Sequence, residues 1–515
     1  MILLRTLRPA ALAACATLLF LAPAPARAQD DAPTNWRDVQ TQLREAVRDT
    51  VGHGEDAARL AALGDVLLRI GRLGDAEKVL RRSLAARPGD REVLAGLGKI
   101  ALFRHRNAEA ESLLTEAGDD EGARRDLYAV RLRRGDWKGA AELAEAVGDA
   151  GHVALLERLQ EITPYELLPG PESVTLGFER PYPVALLRAK LDGQQVLVAV
   201  DPGCPNVLLD KLVAKQRGID PLPGERSVFW LGSRVAARGA IVRKLDLGGL
   251  AIANVPVAVT SLHRYSLDVN PQGRDIALVI GYPLLSRLGV AIDFKRNRLE
   301  LSRAPIAAPS SAARVPFELW TENLPVVWGT IGGSRRLSMV FSTGLPGAGF
   351  GGPADVFEEL GLKPGRLSNL VKGAGVALQG RPWSQAGVPT LTLGRVVGDR
   401  VSGWIGALDS GEVWREGVRL DGQLGPDWFR GRRLSLDWDK HEVVFEGELP
   451  SARTTARRSR DDRRAVRVSR DVSPRAASRP RRRPASPPAS RRRRAPRPAT
   501  SRAGRPRGRW RRSDT

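Results

Sequence analysis

Hydrophobic positions change their rhythm twice along the chain. From about residue 36 to 160, apolar residues recur at three- and four-residue steps among Ala, Leu, Arg and Glu, which predicts amphipathic helices. A period of 34 residues runs through this stretch. Leu63-Gly64 returns as Leu97-Gly98, Ala76 as Ala110 and Leu80 as Leu114. Pro88 closes the first unit ahead of Gly89-Asp90, and a shorter copy surrounds Gly135-Asp136-Trp137 and Ala140. The helical rhythm stops at Pro164 and Pro169-Gly170-Pro171, and short alternating runs continue to about residue 450. Val184–Leu187 and Gln195–Val200 flank Asp192-Gly193, a hairpin-turn pair; Lys244–Gly249 precedes Val255–Val259; Leu324–Ile331 precedes Gly332-Gly333. All predict strands joined by tight turns. Ala307 to Ala313, made only of Ala, Pro and Ser, divides this β-rich part in two. From Ser451 onward large aliphatic residues almost vanish, no core can form, and residues 451–515 are expected to be disordered.

The two β-rich parts repeat each other. The first carries Val198-Ala199-Val200-Asp201-Pro202-Gly203 and later Val279-Ile280-Gly281; the second carries Met339-Val340-Phe341-Ser342-Thr343-Gly344 and later Gln423-Leu424-Gly425. Each places an Asp 12 residues after the later Gly, from Gly281 to Asp293 and from Gly425 to Asp437. Asp201 and Ser342 are 141 residues apart, Gly281 and Gly425 144. Two markers that agree within three residues indicate duplicated lobes. The duplication is imperfect where it counts, because one lobe has Asp and the other Ser.

Both patterns carry a family resemblance. Residues 57–150 resemble tetratricopeptide repeats, which need small residues where paired helices cross and a Pro at the turn; Leu60 stands where that family has an aromatic. The resemblance implies an α-solenoid whose concave face binds peptides or a partner protein, with a partnerless helical spacer as the plain alternative. The β-rich region resembles the retropepsin-like aspartyl proteases of bacteria, fused as two lobes in a pepsin-like manner. The segments Ile280–Leu285, Ile292–Phe294 and Leu299–Leu301 are close to that family's closing signature, and Gly425–Phe429, Leu436–Trp438 and Val443–Phe445 echo it. The expected architecture is therefore multidomain. It comprises a signal peptide (1–28), an N-terminal helical solenoid (36–160), an all-β bilobal aspartic-protease fold with lobe one at 170–305 and a degenerate lobe two at 314–448, and a basic tail (451–515).

The resemblance implies a site. In this class two carboxylates about 3 Å apart share one proton; the ionised one activates water and the protonated one polarises the scissile carbonyl. Asp201 matches the catalytic position, and Ser342 stands where the second Asp belongs. Gly203, Thr343 and Gly344 match the motif positions that border the substrate. Pro202 replaces the Thr of lobe one and can supply neither a hydroxyl nor an N–H to a lock across the lobes. Three readings stay open: a weak aspartic endopeptidase, with Asp201 and Ser342 working in one chain or Asp201 paired across a homodimer; a pseudoprotease that binds extended peptide or protein segments without cutting; and a non-catalytic scaffold. Cys204 reads as a small buried residue, and Asp293 and Asp437 read as structural. Gly232 to Gly239 and Gly373 to Gly387 occupy the places of flap-like hairpins, and Trp230 and Trp383 are candidates for the cleft or for the core.

Charge and leader then narrow the setting. Of the formal +23, the tail holds +20, from 24 Arg against four Asp, and Arg5, Arg8 and Arg27 hold +3. The body between them is neutral, so the high pI is no argument that it binds nucleic acid. The tail suits attachment to an anionic surface or polymer, but Trp510 is its sole aromatic, so specific nucleic-acid recognition is not expected. Ala10 to Ala22 followed by Ala26-Arg27-Ala28 reads as an export signal, placing the mature chain in the periplasm or outside the cell, with no transmembrane segment. Lipid anchoring at Cys15 is disfavoured because the apolar run continues past it. Cys204 is then alone, which precludes an internal disulfide. The five His residues (53, 105, 152, 263 and 441) have no metal-binding spacing, and no cofactor or metal is implied.

Overall fold

The computed structural model describes residues 36–52, 56–271, 273–365 and 383–446. The expected signal peptide, the tail and most of the Gly373–Gly387 segment lie outside the described residues.

Eight helices come first: α1 (Trp36–Thr50), α2 (Ala57–Arg69), α3 (Leu73–Ala86), α4 (Arg91–Phe103), α5 (Asn107–Ala117), α6 (Glu121–Arg134), α7 (Trp137–Ala144) and α8 (Val153–Gln160). The 34-residue period has a physical cause. Gly64 of α2 lies where a Cβ would fall 2.4 Å from Leu80 of α3, and Gly98 of α4 repeats this with Leu114 of α5 at 2.6 Å. Each pair therefore crosses at a Gly seated under a Leu. Asp side chains cap the helices: Asp56 accepts from Arg59 N at 3.0 Å, Asp90 from Val93 N at 3.3 Å and Asp120 from Ala123 N at 2.7 Å.

The second helices α3 and α5 bury one stripe, whereas α4 buries Val93, Leu94, Leu97, Ile100, Ala101, Leu102 and Phe103. A helix apolar around most of its circumference needs a second partner, and lobe two supplies it. Phe103 stacks on Trp320 with ring centroids 5.1 Å apart. The Arg133 guanidinium, half-buried between the two parts, donates to the carbonyls of Leu102 at 2.9 Å and Leu319 at 2.7 Å. Asp126 accepts from Lys99 at 3.0 Å and from the Thr321 hydroxyl at 3.2 Å. The apolar side that α4 presents away from α5 is thus covered by the protein's own lobe two. On the side of lobe one, Arg226 donates to Asp149 at 3.0 Å.

The duplicated markers form equivalent structures. In lobe one the strand Gln194–Val200 pairs in parallel with Ile276–Ile280, matching Ala199 to Val279 and Val200 to Ile280. In lobe two Leu337–Val340 pairs in parallel with Gly422–Leu424, matching Val340 to Gln423. The later glycines let the motif loop cross in front of them. A Cβ at Gly281 would fall 2.0 Å from Asn206 O, and one at Gly425 2.3 Å from Ala348 O. The Asp192-Gly193 turn has φ of 46° and 83°, the left-handed pair that a two-residue hairpin requires.

Six antiparallel strands join the lobes in the order Ser173–Gly177, Arg298–Ser302, Gly289–Asp293, Arg433–Asp437, Glu442–Glu446 and Ala313–Trp320. The central pairing sets Val290 opposite Leu436 and Ile292 opposite Leu434, all buried. Asp293 and Asp437 end the two central strands and close the turns that follow: Asp293 accepts from the N–H groups of Lys295 and Arg296, and Asp437 from Lys440 N at 3.0 Å. No described helix is long and apolar enough to cross a membrane.

Candidate active site

Both motif loops leave the ends of their apolar strands and meet at the lobe interface. Asp201 N donates to Ile280 O at 3.0 Å, fixing the first loop to its parallel neighbour. The loops touch so closely that only glycine fits. A Cβ at Gly203 would lie 2.6 Å from Phe341 O, and one at Gly344 2.4 Å from Asp201 Oδ2. Asp201, Ser342 and Thr343 are all buried.

Asp201 Oδ1 accepts from Gly203 N at 3.0 Å and from Thr343 N at 2.8 Å, and Oδ2 accepts from Ser342 Oγ at 3.1 Å. Ser342 Oγ in turn accepts from Gly344 N at 3.1 Å. Of the four predicted site residues around Asp201, Gly203, Ser342 and Thr343 thus bond the carboxylate directly, and Gly344 reaches it through Ser342. Burial raises the Asp201 pKa from 3.8 to about 6, and these donors only partly oppose it. Among the described residues, its hydrogen-bond partners are N–H groups and one hydroxyl, and none is a carboxyl.

The cross-lobe lock survives on one side. Thr343 Oγ1 donates to Val200 O at 2.6 Å. The equivalent position in lobe one is Pro202, which has no hydroxyl to return the bond. Cys204 is buried directly behind the loop, and desolvation pushes its thiol pKa well up, against any nucleophilic use.

The hairpin Arg226–Trp230/Ser233–Leu247 closes over this region. Its tip is Leu231-Gly232, with φ of 48° and 78°, so the flap lies slightly N-terminal to the expected Gly232–Gly239. Gly239 instead packs on Leu155 of α8, with a hypothetical Cβ 3.0 Å from that side chain. The tip docks on lobe two, where Asp409 N donates to Gly232 O at 2.7 Å. A Cβ at Gly232 would fall 1.9 Å from Ala407 O. Trp230 and Leu231 are only 2% and 3% exposed and share one apolar cluster with Cys204, Leu345, Ala348 and Ala407. Trp383 belongs to the same cluster, so both tryptophans are core residues.

Sequence reasoning missed two supports of the site. Tyr265 donates its hydroxyl to Gly344 O at 2.9 Å and packs edge-on against Trp230 at 5.0 Å. Gln423, inside the second marker, donates to Ala407 O at 3.0 Å beneath the hairpin tip. A polar residue in an otherwise apolar marker was the available signal for Gln423; nothing local marked Tyr265.

Residues 187–284 match the family model described as aspartyl protease, and residues 57–100 match a tetratricopeptide repeat model. No curated protein sequence matches the chain significantly. Among solved structures, the aspartic proteinase from Irpex lacteus matches at 12% identity and a TM-score of 0.36, covering 55% of this chain and 99% of its own. The chain therefore carries an aspartyl-protease-like domain preceded by tetratricopeptide repeats.

Proposed function

We propose that this is an exported pseudoprotease, which uses its interlobe cleft to hold extended peptide or protein segments without hydrolysing them. One observation carries the reading: Asp201 faces the Ser342 hydroxyl at 3.1 Å where hydrolysis needs a second carboxyl. A serine hydroxyl cannot alternate between acid and base as a paired carboxyl does, so Asp201 can serve as acid or as base but has no partner to fill the other role at the same time. Asp201 alone can still orient a water or a backbone N–H. Segment binding requires the Leu231-Gly232 tip to lift from Ala407 and Asp409. Export rests on the Ala26-Arg27-Ala28 leader, and the Arg-rich tail would hold the protein to anionic surfaces.

The scaffold reading gains from a separate observation, the burial of Trp230 and Leu231 against Leu345, Ala348 and Ala407 of lobe two. Incubation of the full chain with a diverse peptide library from pH 3 to 8, beside Asp201→Asn, separates the readings. The expected result is no cleavage by either protein, with peptides retained by both. Cleavage that disappears in Asp201→Asn would overturn the proposal in favour of a peptidase. Failure to retain any peptide favours the scaffold.

A further inference from the structure

A cavity of about 520 Å³ lies where α6, the α7–α8 segment, lobe one and the turns of lobe two meet. Its size suits a small organic ligand. Its walls mix aromatic and charged side chains: Tyr128, Trp137, Tyr165, Tyr282 and Trp438 all line it, with Tyr282 edge-on to Trp438 at 5.3 Å. Tyr165 is held at φ 55°, a conformation that a bulky residue seldom adopts and that surrounding structure must enforce. Its N–H donates to Asn254 O at 3.1 Å, which anchors the strained backbone.

The charges lining the cavity are unevenly used. Arg125 is paired with Glu121 at 2.9 Å, Arg133 is bonded to carbonyls, Arg226 is paired with Asp149 at 2.8 Å, and Arg234 is paired with Glu322 and Glu412. Those pairings consume two of the three lining carboxylates, Asp149 and Glu322, and leave Asp439. Against it stand Arg287 and Arg415, neither of which forms an ion pair with any described residue. The Arg287 guanidinium lies over the Tyr165 ring, 5.8 Å from its centroid, at the solvent-facing side. Guanidinium donors beside an aromatic chamber match a ligand with an acid group and a flat apolar body.

We propose that this cavity binds a small amphipathic organic anion, its ring system among Tyr128, Tyr165 and Tyr282 and its acid group against Arg287. The site is distinct from the Asp201 loops and does not depend on whether peptides bind between the lobes. Hydrogen-exchange mass spectrometry of the full chain with 1-naphthalenesulfonate tests it, because the readout separates the cavity from the Arg-rich tail. Slower exchange is expected in peptides covering residues 125–137 and 282–287. The half-saturating concentration should rise about tenfold in Arg287→Ala, a surface change that leaves the fold intact, and about tenfold again for neutral 2-naphthalenemethanol on the unaltered protein relative to the sulfonate. Tyr165→Phe, which keeps the ring, should retain protection. Protection confined to residues 451–515, protection unchanged by Arg287→Ala, or no protection at all would each overturn the proposal.

Discussion

Replacing Asp201 with Asn tests whether desolvation or hydrogen bonding dominates at the candidate site. Three direct donors surround the carboxylate and favour its charged form, while complete burial favours the neutral one; burial wins and raises the pKa from 3.8 to about 6. That gap corresponds to about 3 kcal/mol at 25 °C. The sign follows from linkage. A carboxyl with a raised native pKa contributes stability that is fully present below 3.8 and is lost as pH climbs through about 6. Asn has no such titration, and its geometry fits. Its oxygen can accept from Gly203 N and Thr343 N, and its amide can donate to Ser342 Oγ. Urea denaturation of both proteins between pH 3.5 and 8 isolates this group, because other titrations cancel in the difference. The stability of Asp201→Asn relative to the unaltered protein should rise by about 3 kcal/mol across that window and level off above pH 7. A flat difference, or one that moves the other way, would refute the reasoning and mean that the donors outweigh burial.

Other predictions concern the supports of the site. Thr343→Val removes the hydroxyl that satisfies Val200 O and should cost roughly 1–3 kcal/mol in chemical denaturation, with Thr343→Ser recovering most of it. Gly232→Ala places a methyl against Ala407 O at a left-handed position; it should free the hairpin tip, seen as a red shift of Trp230 emission and a loss of roughly 1–3 kcal/mol. Phe103→Ala empties the stack with Trp320 and should cost about 3–5 kcal/mol, together with faster amide exchange through α4. Ser342→Asp sets a second carboxyl beside Asp201; the shared proton should appear as a further rise in one apparent pKa, followed by NMR titration of the carboxyl carbons.

Much of the architecture is written locally. The period that seats Gly64 under Leu80 and Gly98 under Leu114, the left-handed Asp192-Gly193 turn, and the apolar strands ending at Asp201 and Ser342 follow from residue size, backbone freedom and alternation. The duplication itself exposes the missing carboxyl, and Pro202 alone shows that the lock can have one bond at most. Tertiary structure decided the rest. Thr343 meets Val200 across 143 residues of sequence, and Arg133 meets Leu319 across 186. Such contacts depend on how whole lobes and helix pairs dock, which no local period encodes. Only docking sets the Trp230–Leu231 hairpin on lobe two and closes the cleft. Only docking lays Trp320 on Phe103, so that the apolar excess of α4 is buried by the same chain. The apolar excess of α4 signals that some surface must cover it; which surface is a matter of three-dimensional fit, because hydrophobic burial has magnitude but little direction.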